Sequence, residues 1–133
     1  MSVCTFLASD HPLPRIERRE QEDVGLFPIA PVPLPCEMRY AAAVEGEETE
    51  QAAAQLLERI RAALAQAEAV ELWRVWLMDY WEFEDRPYLH TSVCRFSDLT
   101  LGDILGVSAA EVWNKPDKAN PDRPSFYRLI VTR

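Results

Sequence analysis

The chain opens on an apolar run, Val3 to Ala8, with β-branched and aromatic members. Its apolar side chains fall on both parities, which predicts a strand buried on both faces and central in a sheet. A second strand is predicted where Met38, Tyr40, Ala42 and Val44 alternate with Glu37, Arg39, Ala41 and Ala43; it has one wetter face and belongs near a sheet edge. Gly46 ends it. Glu47, Glu48 and Glu50 then crowd the first turn of a helix, where carboxylates complement the free amide groups. Ala53, Leu56, Leu57, Ile60, Ala63, Leu64 and Ala67 form a stripe at helical spacing, so this helix is long and amphipathic.

Leu72 to Met78 is again apolar on both parities, with Arg74 the exception. That pattern suits a central strand. A turn rich in Glu and Asp leads through Asp85, Arg86 and Pro87 into Tyr88 to Phe96, and the two runs are predicted to pair as an antiparallel hairpin. Ser97 or Thr100 can cap a short helix ending near Gly106, and Ser108 with Glu111 has capping-box spacing for another turn through Trp113. Asn114 to Pro124 reads as loop and Phe126 to Thr132 as the last strand.

Residues 9–35 change the picture. Pro12, Pro14, Pro28, Pro31, Pro33 and Pro35 remove ladder donors over much of this stretch, which reads as a long surface loop. The spacing of Pro31, Pro33 and Pro35 also suits a polyproline ligand for an aromatic groove. The simpler expectation is a stiff strap held down by Leu26, Phe27, Ile29, Val32 and Leu34. The whole chain, residues 1–133, then forms a single α+β domain: a two-layer sandwich of about five mostly antiparallel strands with the long helix across one face.

Composition narrows the function classes. With 133 residues, 48% hydrophobic and 27% charged, the chain is long enough to bury a core without disulfides or metals. Its formal charge of -8 argues against nucleic acid, whose recognition rests on clustered Lys and Arg, and favours a basic protein partner. Cys4, Cys36 and Cys94 are odd in number and scattered, as expected of reduced thiols. No apolar run has the length of a signal peptide's core or of a membrane span, so a cytoplasmic protein without membrane contact is expected.

Candidate chemistry is sparse. His90 and Cys94 have ligand-like spacing on a helix, but on a strand four residues separate them by about 13 Å, too far for one ion. With His11 the other histidine, no metal and no cofactor is expected. No nucleophile motif or phosphate-binding glycine loop is present. The densest polar group is Asp79, Glu82, Glu84 and Asp85, interleaved with Tyr80, Trp81 and Phe83. Carboxylates so close could act as an acid and base pair, while the rings could anchor a protein interface or fold back under the strap.

Three stretches carry a resemblance: Ser2 to Phe6 with Asp10 and Pro12; Trp76 to Tyr80 with Glu84 to Pro87; and Trp113 to Asp117 with Arg123 to Tyr127. Together they resemble a family of small bacterial proteins with no established activity, so the resemblance assigns no functional residue. In composition alone the chain is similar to bacterial immunity proteins that neutralise basic toxins. The expectation is a non-enzymatic acidic binding or inhibitory module, with Asp79, Tyr80, Trp81, Glu82, Phe83, Glu84 and Asp85 as its binding residues. A small carboxylate-based hydrolase or lyase and a structural homodimer subunit are the alternatives.

Overall fold

A computed structural model of the chain describes residues 3–20, 23–34, 36–46, 48–76, 89–112 and 126–133. Its elements run in the order β1 (Val3–Ser9), β2 (Gly25–Ile29), β3 (Tyr40–Glu45), α1 (Glu50–Leu64), β4 (Ala69–Trp76), β5 (Leu89–Arg95), α2 (Leu101–Ser108) and β6 (Phe126–Thr132). The strands form one sheet in the order β2-β3-β1-β4-β6-β5. Four of the five pairings are antiparallel, and β5 with β6 is parallel. The fold is α+β.

Strands apolar on both parities occupy the interior. On one face, Ala42, Leu7, Leu72 and Leu129 stand in a row across β3, β1, β4 and β6. Both helices pack there: Ala52, Ala53, Leu56, Ile60 and Leu64 of α1, with Ile104 and Val107 of α2, share one buried cluster with those residues. The α1 stripe therefore faces the sheet. Thr49 caps α1 by accepting the Ala52 amide at 3.2 Å.

The other face carries Phe6, Ala8, Trp73, Val75 and Phe126. Trp73 meets Phe126 edge to face at 6.0 Å. Val32, Leu34, Cys36 and Met38 lie over this second cluster, so an irregular segment covers a face that carries no helix among the described residues. Among the described residues no helix is long and apolar enough to cross a membrane.

Four details differ from the sequence expectation. First, β4 and β5 do not pair: β4 lies between β1 and β6, and β5 joins the sheet only through β6 among the described strands. β4 is apolar on both faces and takes a neighbour on each side, and β6 supplies the second. A parallel β5–β6 pair needs a crossover, and the chain between them includes α2. Second, Gly25–Ile29 is a strand within the proline-rich stretch and makes the sheet six-stranded. An edge tolerates Pro28, and β3 is thereby displaced to second place. Third, the short helix expected after Ser97 or Thr100 is α2, capped by Thr100, and it packs on the sheet face where α1 alone was expected. Fourth, Ser108 is the last residue of α2 and donates its hydroxyl to the Ile104 carbonyl at 3.0 Å, so it starts no further helix.

Candidate functional site

Asp79, Tyr80, Trp81, Glu82, Phe83, Glu84 and Asp85 lie outside the described residues. Their attachment points are described. β4 ends at Trp76, opposite Val3 of β1, and β5 begins at Leu89, opposite Phe126 of β6. Phe126 also faces Val75, so both strand ends lie at one end of the sheet. The β3–α1 connection, from Glu45 to Glu50, is at that end too, because Val44 pairs with Thr5 beside the start of β1.

A polar row crosses the sheet here on the helix-bearing face: Thr5 on β1, Arg74 on β4, Tyr127 on β6 and His90 on β5 occupy successive register positions. His90 stacks on Tyr127 with ring centroids 4.2 Å apart. Arg74 donates Nη1–H to Thr5 Oγ1 at 3.0 Å and Nη2–H to Glu48 Oε1 at 3.2 Å. Its Nε is buried and has no hydrogen-bond partner. A cavity of about 340 Å³, lined in part by Arg74, opens between the first turns of α1 and the ends of β1, β3 and β4. Val44, Ala52, Ala53 and Leu56 give it apolar walls, and Glu45 and Glu48 stand among its lining residues. The sequence marked Arg74 as the one charge in an apolar strand; only the register shows what it faces.

A second polar group lies on the opposite face and escaped the sequence reading. Glu71 is buried, accepts the Trp73 indole N–H at 2.9 Å and lies 3.8 Å from the Arg128 guanidinium. Arg128 stacks over the Trp73 ring at 5.2 Å and donates to Thr91 Oγ1 from Nε at 3.3 Å. The Trp73 indole and the Arg128 Nε and Nη2 meet acceptors, and Nη1 faces the Glu71 charge, so the cluster reads as a polar knot within the sheet.

The thiols are muted. Burial pushes Cys4, Cys36 and Cys94 above the ordinary thiol value; the Arg74 cation offsets part of the effect at Cys4, and Asp103 and Asp98 add to it at Cys94. All three are free. His90 and Cys94 share the helix-bearing face of a strand, four residues apart. Among the described residues no group of three or more His, Cys, Asp or Glu is placed to hold a metal ion. No protein-family model, no curated protein and no solved structure matches the chain.

Proposed function

We propose that the protein is a non-enzymatic module that binds a basic protein partner at the acidic end of its sheet. One observation supports this reading: the topology gathers the attachment points of two acidic segments at the same end. Glu45, Glu48 and Glu50 belong to the β3–α1 connection, and the segment holding Asp79, Glu82, Glu84 and Asp85 leaves β4 and enters β5 there. Carboxylates from separate segments then add their fields, which raises the rate of encounter with a cation-rich surface. Trp81 and Phe83, adjacent in sequence to those carboxylates, supply the anchors that make such an encounter last.

The test is capture from a native lysate at low and high salt, comparing the parent with Trp81→Ala and with a Glu82→Lys, Glu84→Lys double variant. The expected result is one salt-sensitive partner, lost from both variants, with the stability of Trp81→Ala within about 0.5 kcal/mol of the parent. Salt-independent capture, or capture unchanged by both variants, overturns the reading. So does a loss of about 3 to 5 kcal/mol in Trp81→Ala, which marks a core ring.

A further inference from the structure

We infer that the cavity beside Arg74 is a binding site for a small monocarboxylate with an apolar body. The site takes a small molecule, so the inference stands apart from the partner reading and fails or survives separately.

Arg74 is the one cation among the described residues that line the cavity. Its guanidinium is held from one side by Thr5, which is itself buried. On the other side its engagement is incomplete: Nε has no acceptor, and Nη2 reaches only one carboxylate oxygen, that of Glu48. The Nε and Nη2 edge of a guanidinium is a fork that matches the two oxygens of a carboxylate. Glu48 does not fill that fork. Its side chain is 54% exposed, so its carboxylate can return to water with little loss and leave Nη2 to an incoming group.

The rest of the cavity limits the ligand. Val44, Ala53 and Leu56 offer apolar walls to a hydrocarbon body, and about 340 Å³ is within the size range of small-molecule pockets. The positive end of α1, a 15-residue helix, lies beside the cavity and favours one negative charge. Glu45 and Glu48 oppose a second. A phosphate ester is therefore a poorer fit than a monocarboxylate, and a neutral amide forfeits the charge that Arg74 recognises.

The experiment titrates the full chain with hexanoate and 3-phenylpropionate, with 3-phenylpropionamide and phenyl phosphate as controls, by calorimetry and amide chemical shifts. At least one acid binds, and its amide binds about tenfold more weakly or less. Arg74→Gln abolishes the difference between acid and amide. Glu48→Gln keeps a half-exposed side chain, so its fold is retained, and it tightens acid binding because a competing carboxylate is gone. The proposal is overturned if neither acid binds up to about 10 mM, if the amide or phenyl phosphate equals the acid, or if Glu48→Gln weakens binding. Shifts confined to residues outside the cavity overturn it as well.

Discussion

At the scale of single residues, the fold tolerates a buried carboxylate only because its neighbours are arranged for it. Glu71 is 7% exposed, and an unpaired charge there would be costly. Trp73 and Arg128 meet it, one by a hydrogen bond and one by charge. Glu71→Ala leaves the buried indole N–H without an acceptor and is expected to destabilise the protein by about 1–3 kcal/mol. Glu71→Gln keeps an acceptor and recovers part of that loss; urea midpoints at constant slope measure both. Asp23 contributes to acid sensitivity. The backbone N–H groups of Glu20 and Arg19 both donate to its Oδ2 at 3.0 Å and hold its carboxyl below the usual range. A depressed folded value means that the stabilisation is complete above the unfolded value near 4 and is lost as pH falls through the folded one. Asp23→Asn is therefore expected to be less stable than the parent at neutral pH, with the gap closing in strong acid. Parallel denaturation series at the two pH values check it.

At the scale of elements, legibility depended on whether the deciding contacts are local. The α1 stripe, the Glu-rich approach to its first turn and the two-sided apolarity of β1 and β4 are local patterns, and each marks the element the structure contains. Arg74 was visible as an anomaly for the same reason. β2 was hidden, because prolines on either side of Gly25–Leu26–Phe27 read as loop while the pairing that makes a strand comes from distant β3. Gly25 has a packing reason invisible in sequence: a Cβ there would approach the Ile16 carbonyl and the Arg18 and Phe27 side chains at 3.0 Å. The hairpin expectation failed on the same ground. Sequence proximity favours β4 with β5, whereas β6 takes the place between them. Glu71 and Arg128 become neighbours only through that insertion, so no spacing could reveal them. Where the signal is local it can be tested locally. Thr100 and Asp103 form a reciprocal cap on α2, each side chain taking the other's backbone N–H. Thr100→Ala is expected to cost about 1 kcal/mol in a thermal melt, while Thr100→Ser costs much less.

At the scale of the whole molecule, the sheet has unlike faces and unlike ends. Helices cover one face and the 32–38 segment lies over the other. One end gathers acidic connections; toward the other, Arg133 donates Nε–H to the Leu64 carbonyl at 2.9 Å and so ties the end of β6 to the end of α1. The position of β6 also bears on how the molecule comes into being. A ribosome delivers Phe126–Thr132 after every other described element, yet this strand sits between β4 and β5. Until it emerges, β4 has β1 as its one described neighbour, β5 has none, and the Glu71 carboxylate lacks Arg128. The nascent chain thus leaves β5 unpaired while α2 already has α1 and β4 to pack on, and the last strand is the keystone that joins β5 to the sheet. Damage to Phe126–Thr132 would strike the interior of the sheet and detach the β5 edge, while leaving the β2 edge intact.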